Sequence, residues 1–178
     1  MNPDDLHTRP SPTVAATAWV APSADVVGDV TVGEQASIWY HCVLRGDIAP
    51  ITIGDETNIQ DLTMVHVDVD TPAVIGSRVG IGHRAIIHGC TIGDDCLIGM
   101  GAIVLSHAVI GEGSVVAAGA IVLEGTEVPP RSLVVGVPAR ITREVDDLLR
   151  DRIRDTVQHY SALKEGHRLR RWSEFAPS

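Results

Sequence analysis

Aliphatic side chains recur along this chain at every sixth residue, not at the steps of two or 3.6 that mark ordinary strands and helices. From position 92 the register is unbroken: Ile92, Ile98, Val104, Ile110, Val116, Val122, Val128 and Val134. Backward, the series continues as Ile87, Ile81 and Ile75, then Val65, Ile59 and Ile53, then Leu44, Ile38, Val32, Val26 and Val20. Only the steps 44 to 53, 65 to 75 and 87 to 92 break it, and eighteen of the nineteen positions hold Val or Ile. Two residues earlier the side chain is Ala, Ser, Thr or Cys in sixteen of the nineteen cases. This period predicts a parallel β-solenoid of triangular cross-section, with three six-residue sides per coil and one aliphatic residue per side pointing inward. Coils would stack at about 4.8 Å. Nineteen sides make about six coils. Gly follows the aliphatic residue at 33, 54, 76, 82, 93, 99 and 111, where a sharp bend favours a residue without Cβ.

After Pro138 the period changes. Ile141, Val145, Leu148, Leu149, Ile153, Val157 and Tyr160 fall mostly at steps of three or four, with charged residues between them. That pattern predicts an amphipathic helix over 142–164 with its stripe against one flank of the solenoid. The chain thus divides into an extended N-terminal segment (1–13), the solenoid (14–140), the C-terminal helix (141–166) and a loose tail (167–178).

Composition removes other classes. Aromatic residues are 3% of the chain, and Val and Ile number 39 against 11 Leu, with 17 Gly; that is poor material for a helical bundle. A formal charge of −9 argues against nucleic acid or an anionic membrane as partner. No run reaches the 18 apolar residues of a membrane span, and MNPDDLHTRPSPT lacks the basic start and apolar stretch of a secretory signal, so a soluble, cytoplasmic protein is expected. Cys42, Cys90 and Cys96 form no CxxC pair. All three fall in the small-residue column and read as corner fillers, not as redox or zinc-binding thiols.

The coil geometry sorts the histidines, because equivalent positions one coil apart must stack. One residue after the aliphatic positions of the second side come Val27, Arg45, His66, His88, Leu105 and Leu123, so Arg45, His66 and His88 form one outward column. Two residues after those of the first side lies a column containing Asp61, His83 and Met100. His83 is roughly 15 Å along the coil from His88 at about 3.3 Å per residue. A neighbouring subunit bringing its first side against this second side would unite all three, and that contact repeated head to tail closes a ring of three. Three histidines with an open fourth position suit a hydrolytic or hydrating zinc enzyme. His7, His41, His107, His159 and His167 have no comparable arrangement.

RGD at 45–47, NIQD at 58–61, His66 and GHRAIIHGC at 82–90, on a hexapeptide solenoid closing with VVGVPAR at 134–140 and followed by a helix, resemble gamma-class carbonic anhydrases and their bacterial homologues over residues 14–165. The resemblance implies a left-handed parallel β-helix and a homotrimer. It implies that His66 and His88 of one subunit and His83 of the next hold the metal, zinc or else Fe2+ or Co2+. Gln60 matches the residue that orients the attacking hydroxide toward CO2, and Asn58 a second polar residue of the pocket. Arg45, Asp47 and Asp61 match an interfacial ion-pair set, with an Arg45–Asp61 pair expected across subunits. Tyr160 matches an active-site tyrosine. Two places depart from the family: Ile48 stands where a glutamate follows the RGD-like aspartate, and the short stretch VDVDTPA at 67–73 replaces a longer acidic loop. Asp68 and Asp70 could take over proton transfer, but read more simply as solvated carboxylates.

The leading expectation is therefore reversible hydration of CO2 to bicarbonate by a trimeric metal enzyme. One alternative is a metal-dependent thioesterase of acyl-coenzyme A; another is a catalytically silent, metal-stapled assembly protein. An acyltransferase using His107 as base ranks last, because a coenzyme A site between coils does not call for this histidine trio. Trp39, one residue after Ile38, reads as an interface residue.

Overall fold

The computed structural model describes residues 10–172. It is a parallel β-solenoid of about seven coils with one C-terminal helix. The stacking follows the sixfold period position by position. On the first side Val20, Ile38, Ile59, Ile81, Ile98, Val116 and Val134 pair in register; on the second side the ladder runs from Val26 through Leu44, Val65, Ile87 and Val104 to Val122. The third side begins earlier than the aliphatic series predicts: Thr13–Val14 pairs with Thr31–Val32, which adds a side before Val20. Inside, Ile38, Leu44, Ile59, Ile81, Ile87 and Ile98 are fully buried, each burial stabilising by roughly 2 kcal/mol. The stacked inward positions hold only Val, Ile and Leu, which is why so few aromatics suffice; the buried ring of Trp39 lies outside those stacks, one residue after Ile38.

The corners correct the expectation about glycine. The left-handed conformation falls three residues after the aliphatic position, and most residues that adopt it are not glycine: Gln35, His41, Glu56, Leu62, Arg78, Arg84, Asp95, His107 and Arg131. The glycines directly after the aliphatic position serve close approach instead. A Cβ on Gly54 would meet the Gly76 carbonyl carbon at 2.5 Å, and one on Gly99 the Ala118 nitrogen at 2.3 Å. The cysteines are buried and free. Burial pushes the Cys42 thiol up to about 11 and those of Cys90 and Cys96 to about 12, so they are inert fillers.

Two of the three irregular steps have clear structural outcomes. The insertion after Leu44 is absorbed by the long strand Val43–Ile53, which runs through the corner between the second and third sides. The insertion after Val65 makes a tight turn with an Asp68–Thr71 bridge, its tip residues Asp68, Val69 and Asp70 exposed.

The helix begins later than predicted. Arg140–Glu144 is a strand, paired antiparallel with Ser132–Val135, and it carries Ile141 to the surface at 51% exposure. The helix, α1, spans Asp147–Arg168, started by Asp146, whose carboxylate accepts the Leu149 N–H at 2.9 Å. It lies over first-side strands Ser37–Ile38, Asn58–Ile59 and Gly80–Ile81, burying Ile153 and Val157. Among the described residues no helix is long and apolar enough to cross a membrane.

Candidate metal centre

His66 and His88 end the neighbouring parallel strands Met64–His66 and Ile86–His88, and the register places His88 on His66 and His66 on Arg45. Strand pairing therefore stacks the two imidazoles, with ring centroids 5.2 Å apart. His66 Nδ1 faces His88 Nε2 at 3.2 Å. The outer nitrogens are held in turn: His66 Nε2 lies 3.1 Å from Asp47 Oδ1, and His88 Nδ1 lies 2.9 Å from Ser106 Oγ. Asp47 reaches His66 because it sits in the corner that the insertion after Leu44 built, where Arg45 pairs with its other oxygen. Partial burial raises the Asp47 pKa, but hydrogen bonds from Arg45 and His66 outweigh it and hold the carboxyl below the usual carboxylate range. It is an anion at neutral pH.

His83 sits at the corner between the first and second sides. Its Nδ1 is 2.9 Å from Asp61 Oδ2, one coil below, and its Nε2 is 3.1 Å from the Tyr160 hydroxyl. Gln60 and Asn58 are buried beside this corner, with Gln60 Nε2 donating to Asn58 Oδ1 at 2.9 Å. Sequence-predicted residues are thus gathered in two groups on one chain: Arg45, Asp47, His66 and His88 on the second side, and Asp61, His83 and Tyr160 at the corner, beside Gln60 and Asn58 on the first side. Within the chain Arg45 holds Asp47 and Asp61 holds His83. Among the described residues, no three His, Cys, Asp or Glu side chains converge on a common metal position.

Ser106 is the partner that the sequence columns do not single out. It lies two residues after Val104, directly above the coil that carries His88, and is 5% exposed; a search for polar residues beside the imidazole column would have found it. Asp68 turns its carboxylate onto the Val69 N–H at 2.8 Å, and His107 is exposed at a left-handed corner. A groove of about 830 Å³ lies between the helix and the opposite corner, lined by residues such as Arg78, Glu112, Arg131 and Arg154, and none of the candidate residues borders it.

The donor set fits a cation. A carboxylate only accepts, so the imidazole nitrogens facing Asp47 and Asp61 carry the protons, which leaves His66 Nδ1 and His83 Nε2 as lone-pair donors. Two metal–nitrogen bonds of zinc length at a tetrahedral angle separate their nitrogens by about 3.3 Å, close to the 3.2 Å between His66 and His88. The Ser106 hydroxyl can accept or donate, so it accommodates either tautomer of His88.

Comparison with known proteins bears on the family. The family model described as "Bacterial transferase hexapeptide (six repeats)" matches residues 72–106 and 89–124. A Methanocaldococcus jannaschii protein named "Probable carbonic anhydrase" is 51% identical over 146 residues, 82% of this chain and 92% of its own. The carbonic anhydrase of Geobacillus kaustophilus is 43% identical over 162 residues, 87% of this chain and 89% of that one. Relatives with other names also occur: the carnitine operon protein CaiE of Escherichia coli is 44% identical over 136 residues, 76% of this chain and 69% of its own. Among solved structures, a hexapeptide transferase family protein from Anaplasma phagocytophilum superposes with a TM-score of 0.84 at 42% identity, covering 87% of this chain and 92% of that one. With matches this long and this similar, the chain belongs to the gamma-class carbonic anhydrase-like family of hexapeptide-repeat proteins.

Proposed function

We propose that this protein is a homotrimeric, metal-dependent enzyme that reversibly hydrates CO2 to bicarbonate, with His66 and His88 of one subunit and His83 of the next holding each cation. The observation that carries the reading is the facing nitrogen pair of His66 and His88, 3.2 Å apart and braced from behind by Asp47 and Ser106. A third imidazole prepared in the same way by Asp61 stands on a different corner of the same chain.

The surface around these groups supports a subunit contact. Val27, Ile86 and Leu123 on the second side are 50%, 39% and 46% exposed, and Leu62 and Met100 at the His83 corner are 56% and 59% exposed. Apolar residues flank both halves of the divided site, as a buried interface requires. Because the chain's own helix covers the first-side face, the corner carrying His83 is what a neighbour would meet.

Zinc fits the donor set, and Fe2+ or Co2+ also accept imidazole. When bound, the cation would lower the pKa of a water to about 7 and so supply a nucleophile for CO2 at neutral pH. The protein's part is orientation. Asp47 and Asp61 fix the tautomers of His66 and His83. Asn58 takes the Gln60 amide N–H, which leaves Gln60 Oε1 as an acceptor for the proton of the attacking oxygen. Among the described residues the carboxylates that meet these histidines are Asp47 and Asp61, and Asp68 of the 67–73 turn bonds the Val69 N–H instead, so buffer is expected to carry the proton away. Asp47→Asn keeps the shape but gives up the anion on His66; metal affinity is expected to fall by about 10–100-fold, read by competition with a chelating dye.

Indicator-coupled hydration of CO2 by the metal-loaded protein tests the reading: activity lost on chelation and recovered with zinc supports it, and a rate equal to that of His88→Ala overturns it. A second reading keeps the same site and cation but uses them to cleave an acyl-coenzyme A thioester. Release of free thiol from an acyl-coenzyme A panel, with no CO2 hydration, would select it.

A further inference from the structure

The chain has three Trp, two Tyr and one Phe, and all the Trp and Tyr rings meet in one cluster under and around the end of α1. Trp39, 4% exposed, packs edge-to-face on Tyr160 with centroids 5.1 Å apart and planes at 86°. Trp39 also meets His167 at 5.0 Å and Trp19 at 5.0 Å, while Trp172 covers His167 at 4.6 Å. The Trp39 indole N–H donates to Ser37 Oγ at 3.0 Å, which fixes the plane of its ring.

Tyr160, Lys164 and His167 stand at i, i+4 and i+7, on one face of the helix. Each is tied to the same stretch of solenoid, residues 35–40. Lys164 Nζ donates to Gln35 O at 2.7 Å and to Gln35 Oε1 at 2.6 Å, and the Tyr40 hydroxyl is 2.9 Å from His167 Nδ1. Lys164 is fully buried, and among the described residues no carboxylate forms a salt bridge with it, a placement whose cost only its hydrogen bonds to Gln35 offset. Burial holds its ammonium pKa below the usual lysine range. Apolar contacts through Ile153, Val157 and Leu163 would dock the helix without specifying its register, whereas directional bonds to Gln35 and Tyr40 allow only one. A slip of one residue moves the helix by about 1.5 Å and turns it by about 100°, which would carry the Tyr160 hydroxyl off His83.

We propose that Trp39 and Lys164 are positioning residues: they set the register of α1 so that the Tyr160 hydroxyl is held beside His83, 3.1 Å from the nitrogen that the candidate metal centre would use. The catalytic consequence rests on the function proposed above; the positioning itself does not. Aromatic residues that the stacked Val and Ile columns do not use are gathered here, around one hydroxyl.

Full-length, metal-loaded protein containing fluorotyrosine gives two fluorine signals, Tyr40 and Tyr160, assigned with Tyr40→Phe and Tyr160→Phe. Trp39→Leu and Lys164→Met are each expected to move the Tyr160 signal to the solvent-exposed position and to lower kcat by up to about 10²-fold, with KM unchanged. Trp39→Phe, which keeps a ring edge, should retain both the signal and the rate. A Tyr160 signal unmoved in Trp39→Leu or, where that variant does not fold, in Lys164→Met overturns the positioning. A signal that moves with no change in kcat overturns its catalytic consequence. If wild type hydrates no CO2, the proposed function fails while the fluorine spectra still decide the positioning.

Discussion

Replacing His88 by alanine is expected to strip the protein of bound metal and to lower kcat/KM for CO2 hydration by on the order of 10³-fold or more. The size follows from what is lost: a cation contributes several kcal/mol to the reaction, and each 1.36 kcal/mol is tenfold. His66 Nδ1 would lose the nitrogen that faces it at 3.2 Å, and the Ser106 hydroxyl its partner at 2.9 Å. The fold should not follow, because the His88 side chain points outward from the second side and the inward neighbour is Ile87. Elemental analysis and CO2 kinetics on His88→Ala, with circular dichroism as a control for folding, check this. A variant that is folded, metal-free and still active would sever the histidines from the chemistry.

The largest effect on stability is expected at a glycine with an ordinary backbone conformation. A Cβ at Gly99 would lie 2.3 Å from Ala118 N, 2.7 Å from Ala117 C and 2.7 Å from Ala118 Cα. All three are backbone atoms of the next coil, whose spacing is fixed by bonds such as Gly99 N–H to Val116 O at 2.7 Å. They can yield only if the coils part, so Gly99→Ala should destabilise by about 3 kcal/mol or more. Gly101 makes the opposite case: its φ is +68°, yet nothing lies within 4 Å of an added Cβ. Gly101→Ala is expected to cost about 1–2 kcal/mol of backbone strain alone. Urea midpoints of the two variants decide whether inter-coil contact or backbone conformation governs glycine in this fold.

That distinction shows where sequence reasoning stops. A six-residue period identifies which residues stack, since one aliphatic side chain per side must meet its equivalent a coil away, and Arg45, His66 and His88 fell into one column for that reason. The period does not say why a glycine recurs beside it. The strand Arg140–Glu144 is not legible in the sequence because all five of its residues are exposed and carry no alternation, and Ile141 lies a helical step from Val145. Lys164 carries no signal in the sequence because a lysine on a helix is ordinarily solvated, whereas here Gln35 supplies two acceptors inside the docking face. Asp47 was legible as a motif residue, but its contact with His66 depends on how the insertion after Leu44 folds into the strand Val43–Ile53. Tyr160 could be named from resemblance, and only the packed helix brings its hydroxyl to His83.

The division of the site between subunits is the central claim, and complementation tests it most directly. His83→Ala and His88→Ala are each expected to be inactive, yet they damage opposite halves of every interface. In trimers reassembled from an equal mixture, an intact site forms wherever a His83→Ala subunit offers His66 and His88 to the His83 of a His88→Ala neighbour. With random assembly in a ring of three, that is about one quarter of the interfaces. Recovery of about a quarter of wild-type CO2 hydration, with zinc bound in the same proportion, is the predicted result. Mixed trimers as inactive and metal-free as either parent would contradict a site shared between subunits.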